Sequence, residues 1–291
     1  MSDPQSSTPN RQSPISNRQS SIVDGQSSIV DGQSPTPNRQ SKDFLFLHIR
    51  DLPYFRGLLR AVESSYYQDL PLPAPVYDVG CGDGHFASLT FDRRIDVGLD
   101  PWHGPIHEAK RHGAYGSLVE ADGARAPFPD GHFASALSNS VLEHIPHIEA
   151  VLAETARVLA KDAPFYFCVP NPRYFSSLSL TRLLGPGYRE WFRRISRVHH
   201  ADEPEVWRAR LERAGFELTR WWHYFSPAAM RVLEWGHYFG LPSLVVRTLT
   251  GKWILSATKW NLQPVVKFLG RYASPAPVED GSFTFYVARK R

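Results

Sequence analysis

The 291-residue sequence predicts an α/β fold: a doubly wound, mostly parallel sheet of seven strands that finishes with an antiparallel C-terminal strand pair. Three observations carry this expectation. Short apolar runs alternate with helix-periodic segments between residues 76 and 170. The first of those runs ends in a turn with three glycines at alternate positions. Two more strand-like runs lie near the C-terminus without the earlier alternation.

The first 41 residues stand apart from that pattern. Gln5, Gln12, Gln19, Gln26, Gln33 and Gln40 recur every seven residues, each followed by serine. This heptad is not a coiled coil, because it has at most one aliphatic pair per unit and is interrupted by prolines and Asp-Gly turn signals. A segment so rich in Ser, Gln, Pro and Asn buries too little apolar surface to offset the entropy of ordering. Residues 1–41 are therefore expected to be a disordered tail, and residues 42–291 a single domain with a full core.

The elements follow in order. In PYFRGLLRAVESSYY, Phe55, Leu58, Leu59 and Val62 fall at helical spacing, so 43–70 reads as one or two helices. After PLPAP, strands are expected at 76–79, 95–99, 117–120, 133–137 and 165–169. Between the last two, IEAVLAETARVLA places Ile148, Val151, Leu152, Thr155 and Leu159 on one helix face. Strand–helix alternation at this spacing marks a parallel, doubly wound sheet. PEVWRARLERAG is a further helix, with Gly215 as its C-terminal cap. FELTRWWHYF and SFTFYVARKR suit the antiparallel pair. The 56 residues between Phe225 and Ser282 are too many for a structureless connection, so 226–281 is expected to be a helical insertion broken by Pro242 and Pro264.

Most functional information lies in Val76-Tyr-Asp-Val-Gly-Cys-Gly-Asp-Gly84. A strand ends there, and Gly80, Gly82 and Gly84 allow positive φ and close approach of a ligand to the backbone. A dinucleotide fingerprint would require a glycine at His85. Asp78 and Asp83 beside the loop suit a cationic ligand better than a pyrophosphate.

The stretch VYDVGCGDG resembles the first motif of class I S-adenosylmethionine-dependent methyltransferases, and is most similar to the type 11 family. Later motifs keep that family's order through residue 170. The resemblance implies a Rossmann-like cofactor core over 76–170. In it Asp78, Gly80, Cys81, Gly82 and Gly84 would surround the methionine part of the cofactor. Asp100, at the end of VGLD, would accept hydrogen bonds from the ribose hydroxyls. Asp122 and Gly123 would lie near the adenine, and Asn139 beside the cofactor after strand four. Trp102 either covers the adenine ring or fills a surface groove.

Some positions depart from the pattern. Lys161-Asp-Ala-Pro164 replaces the usual Gly-Gly turn before strand five. Ser140 stands where metal-dependent quinone O-methyltransferases carry a further acid, which leaves Glu143 and His144 a thin ligand set, so no metal is expected. Ser138-Asn-Ser-Val141 differs from the Asn-Pro-Pro-aromatic motif of enzymes that methylate amino groups of nucleic-acid bases. The implied function is methyl transfer to a small-molecule or lipid-like acceptor, with oxygen slightly ahead of nitrogen or carbon. A non-catalytic cofactor-binding module and an RNA-modifying enzyme are the rival readings. A hydroxyl acceptor would need a base, for which His144, His199 and His200 are the candidates; the alternative for each is a backbone-bonded or surface histidine.

The net charge of +4 conceals an asymmetry: residues 42–169 carry −6 and residues 170–291 carry +10, with seven of the eight tryptophans. Residues 171–200 are expected to form a lid or substrate wall over the open end of the sheet. From Trp235 to Val278 there is no acid, while Lys252-Trp253 and Lys259-Trp260 repeat seven apart. Such a segment either caps the domain or lies on a membrane surface through 241–272. Nucleic acid is the least favoured partner. No apolar run reaches 18 residues, no secretory pattern opens the chain, and two cysteines are too few for a disulfide scaffold. The expected location is cytoplasmic, with peripheral attachment at the inner membrane surface the alternative if the segment does not simply cap the domain.

Overall fold

The computed structural model describes residues 42–239, 241–251, 253, 254 and 258–291, the side chains of 241–243 excepted. The expected disordered tail at 1–41 and Lys252 of the basic segment lie outside the described residues.

Two helices, α1 (Phe44–Asp51) and α2 (Tyr54–Tyr67), open the domain, with Pro53 at the break between them. Alternation follows: β1 (Val76–Val79), α3 (His85–Thr90), β2 (Ile95–Asp100), α4 (His103–His112) and β3 (Tyr115–Glu120). Then come β4 (Ser135–Asn139), α5 (Ile148–Val158) and β5 (Pro164–Pro170). Three short helices, α6 (Arg173–Ser176), α7 (Thr181–Leu184) and α8 (Pro186–Ser196), precede α9 (Pro204–Arg213) and β6 (Phe216–Tyr224). The long connection holds α10 (Pro227–Phe239), α11 (Leu241–Thr250) and α12 (Lys259–Leu269), before β7 (Phe283–Lys290).

The sheet has seven strands in the order β3-β2-β1-β4-β5-β7-β6. The first five are parallel, and β7 inserts antiparallel between β5 and β6. Order reverses between β1 and β4, which opens a crevice at their C-terminal ends. Both faces of the sheet are covered, which explains the near-continuous apolar runs. Val76, Tyr166, Cys168 and Phe285 pack toward α1, α2 and α10, whereas Tyr77, Phe165, Phe167 and Tyr286 pack toward α5 and α9.

Several boundaries differ from the sequence expectation. The third strand begins at Tyr115 rather than residue 117, and the fourth spans Ser135–Asn139 rather than 133–137. Phe133 makes only an isolated bridge to Leu159, because its amide and carbonyl are taken by Val158 and Ala160 after α5. Pro264 does not end a helix; it sits inside α12, where the carbonyl it deprives of a partner belongs to the exposed Trp260. At the altered turn before β5, Asp162 adopts a φ of 63°, supplying the left-handed conformation that a short polar side chain tolerates.

Two buried acids tie distant elements together. Glu63 of α2 accepts from Arg60 (2.7 Å) and Asn139 (2.9 Å) on Oε2, and from Ser140 (2.8 Å) and Tyr224 (3.0 Å) on Oε1. Glu234 of α10 accepts from the Ser179 amide (2.7 Å) and hydroxyl (2.6 Å), the Leu180 amide (3.0 Å) and the Tyr188 hydroxyl (2.8 Å). Both are fully buried, so their worth lies in complete hydrogen bonding, and removing either strands its donors. Replacing Glu63 by Ala is expected to lower unfolding free energy by roughly 3–5 kcal/mol, read from urea denaturation.

Candidate functional site

The turn after β1 is built as its glycines suggested. Gly80, Gly82 and Gly84 have φ of 79°, 55° and 74°. A Cβ at Gly80 would also collide with the Val141 side chain. The amides of Gly80 and Cys81 donate to the Leu99 carbonyl (2.8 and 2.9 Å), and that of Gly82 donates to Asp100 Oδ2 (3.1 Å). The loop is thereby laced to the end of β2. It borders a cleft of about 150 Å³ at the point where strand order reverses.

Asp78 and Asp100 are both buried at this turn. Asp78 Oδ2 accepts from the Tyr115 hydroxyl at 2.6 Å. Burial raises the Asp78 pKa to about 7, against the Tyr115 hydrogen bond, and the neighbouring Asp100 adds to the rise. Asp100 is also raised by burial, opposed by the amides of Trp102 and Gly82. Each Asp100 oxygen takes one of those amides, Trp102 at 3.0 Å and Gly82 at 3.1 Å, and keeps a lone pair for a ligand. Burial pushes the Cys81 thiol well up, which makes it a poor nucleophile.

Of the expected binding residues, Asp78, Gly80, Cys81, Gly82 and Asn139 line the cleft. Gly84 closes the same turn, and Asp100 joins it through Gly82. Trp102 stands 71% exposed beyond Asp100. Asp122 is exposed at the end of β3, where it caps the Ala124 amide (2.9 Å), and Gly123 lies against Val151. Neither these two nor Trp102 lines the cleft. Asn139 points inward: its amide bonds Glu63 and the Cys168 sulfur (3.2 Å), and its side-chain oxygen accepts from Arg60.

The candidate histidines are held differently. His144 is exposed on the turn after β4; its Nδ1 bonds the Arg197 carbonyl (3.0 Å), and its Nε2 lies 3.8 Å from Glu143 Oε1. Burial of the ring's inner side lowers its pKa, despite that bond. His200 has both nitrogens engaged, with the Ile145 carbonyl (2.9 Å) and Arg210 (3.3 Å). His199 is exposed, and its backbone amide bonds the Glu143 carbonyl (2.8 Å). Beside them Glu143 is buried with Oε2 unpartnered, and burial raises its pKa to about 8.

The sequence reading missed the opposite wall of the cleft. Arg56 and Arg60 of α2 line it, together with Phe86 and Tyr115. A signal did exist, since the two arginines are one helical turn apart on an amphipathic helix. The cleft is therefore bipolar, with guanidinium groups on one side and Asp78 and Asp83 on the other. That donor set fits a zwitterionic ligand that carries a carboxylate and separate cationic groups. The methionine part of S-adenosylmethionine has this character.

Residues 77–167 match the sequence profile of a family described as "Methyltransferase domain". An uncharacterized methyltransferase of Mycolicibacterium gilvum is 36% identical over 114 residues, which cover 38% of this chain and 40% of that protein. A malonyl-[acyl-carrier protein] O-methyltransferase of Geobacter sulfurreducens is 29% identical over 174 residues, covering 55% of this chain and 62% of that protein. The chain thus matches less than two thirds of the length of either relative. Among solved structures, the [4+2]-cyclase SpnF superposes with a TM-score of 0.50 at 18% identity, covering 80% of this chain and 81% of that one. Fold, glycine turn and profile match together mark residues 77–167 as a methyltransferase domain. The cofactor that such a domain and this bipolar cleft fit is S-adenosylmethionine.

A cationic ligand is best held when Asp78 is ionised, so protons compete with it below pH 7. Cofactor affinity, measured by calorimetry, is expected to rise about tenfold from pH 6 to pH 8, and Asp78→Asn to flatten that rise.

Proposed function

We propose that the protein transfers a methyl group from S-adenosylmethionine to a small-molecule or lipid-like acceptor, with oxygen as the favoured acceptor atom. The observation that carries this reading is the glycine turn, laced to Asp100 and facing the arginines of α2 across a polar cleft. Fold alone would not suffice, since a cyclase shares it. The bound cofactor supplies an activated sulfonium methyl that an acceptor displaces in line.

The chain's own residues mainly bind and orient. Arg56 and Arg60 would hold the carboxylate, Asp78 the cationic groups and Asp100 the ribose hydroxyls. Positioning of this kind can supply much of the rate of a displacement. Asp122, Gly123 and Trp102 would serve the adenine end from the tips of β3 and β2. A hydroxyl acceptor must also lose a proton. His144 suits that step, because the Arg197 carbonyl fixes its tautomer and its lowered pKa keeps Nε2 unprotonated at neutral pH. The name of the Geobacter sulfurreducens relative, an O-methyltransferase, supports oxygen as acceptor.

The reading also places residues 171–200 as the acceptor wall and the basic segment on an anionic membrane surface at the cytoplasmic side. Support comes from the exposed Phe239, Leu244, Val245, Leu249, Trp260 and Phe268, in a stretch that has no acid. Among the described residues no helix is long and apolar enough to cross a membrane.

Calorimetry with the cofactor and its demethylated product tests the binding half. Asp100→Ala is expected to weaken binding by roughly 10- to 100-fold, the loss of about 1.5–3 kcal/mol from hydrogen bonds to a charged acceptor. Mass spectrometry of cell extracts incubated with protein and labelled cofactor tests transfer. With an acceptor in hand, His144→Ala should reduce kcat by about 10²- to 10⁴-fold and leave cofactor affinity unchanged. Wild-type affinity retained by Asp100→Ala, or a product lacking the label, would remove the proposal.

A further inference from the structure

A second cavity, of about 690 Å³, opens between α10 and α12. Its character is opposite to that of the cofactor cleft. Val232, Trp235 and Phe239 form one wall, Val265 and Phe268 the other, and Tyr54 reaches it from the corner between α1 and α2. Among the described residues, Arg231 is the one charged residue in the lining. The two cavities share that corner: Leu52 and Arg56 face the polar cleft, and Tyr54 between them faces the apolar one.

Three features narrow the occupant. The volume lies in the range of about 300–1,000 Å³ that small-molecule sites occupy, with the apolar lining and few polar groups typical of them. Trp235, Phe239 and Phe268 remain 41%, 67% and 50% exposed, which is apolar area that a hydrocarbon would cover. Charge sets the sign of the head group. Arg231 makes no ion pair among the described residues, and no acid lies between Trp235 and Val278, where Arg247, Lys259, Lys267 and Arg271 also fall. A second copy is a poor occupant, because a two-fold interface would set this basic segment against itself.

We propose that the cavity binds the single hydrocarbon chain of an anionic amphiphile of the fatty-acid class, with its head group at Arg231. The site lies outside the cofactor cleft and does not depend on methyl transfer.

Calorimetric titration of the full chain with decanoate, laurate and myristate, each below its aggregation concentration, tests the assignment. Affinity should tighten about fourfold per added methylene. Val265→Trp, which fills the cavity, should weaken laurate at least tenfold. Arg231→Glu should weaken laurate but not dodecanol, and dodecyltrimethylammonium should bind the wild type more weakly than laurate. Cofactor titrations on the same variants should match wild type, so a failed cofactor site would be seen separately. No binding, affinity independent of chain length, or equal affinity for the cationic detergent overturns the proposal. So does a dimer in sedimentation velocity that Val265→Trp dissociates, since the cavity would then be a subunit interface.

Discussion

One buried carboxyl group sets the geometry of the site. Glu63 lies in α2, yet its four donors come from α2 itself, from the end of β4 and from the end of β6. One carboxylate that accepts from all four holds the helix, the central strand and the edge strand at one point. Ser140 takes a φ of 49° there, an uncommon conformation for a residue other than glycine, and its hydroxyl is one of the four donors. The interlock also fixes Arg60 and Asn139 at the wall of the cleft. A polar network beneath the site thus decides where the site's basic wall stands.

The cleft above it separates charge along its length. Acids cluster at the tips of β1 and β2, where the turn amides of Gly82 and Trp102 partly offset their burial. Arginines approach from the helix opposite. A ligand with one sign of charge would leave half of this lining uncompensated, whereas a zwitterion satisfies both ends. The same logic separates the two cavities, which differ in lining although one chain corner bounds both.

The basic half of the chain is attached to this core through a second buried acid. Glu234 binds residues 179–188 to α10 at the last acidic position before the long acid-free stretch. The segment after β5 and the helical connection before β7 are therefore packed together on one side of the sheet, and both leave apolar surface uncovered, the first at Leu183, Leu184 and Trp191 and the second at Phe239, Leu249, Trp260 and Phe268.

What the sequence by itself determined was local. Apolar periodicity placed all seven strands and the helices α1, α2, α5 and α9 to within a few residues, and the positive φ required at Gly80, Gly82 and Gly84 was legible because only glycine takes it freely. Asp78 and Asp100 were legible because each lies in a short motif, VYDVGCGDG or VGLD, that resembles the methyltransferase pattern along one continuous segment. The tertiary structure decided the rest. Arg60 and Asn139 are 79 residues apart, and Glu63 and Tyr224 are 161 apart. The strand boundary at Phe133 turned on a partner after α5, and the tolerance of Pro264 on solvent at Trp260. Contacts between segments so distant leave no periodic trace in either one; they exist only once the sheet has brought those segments together.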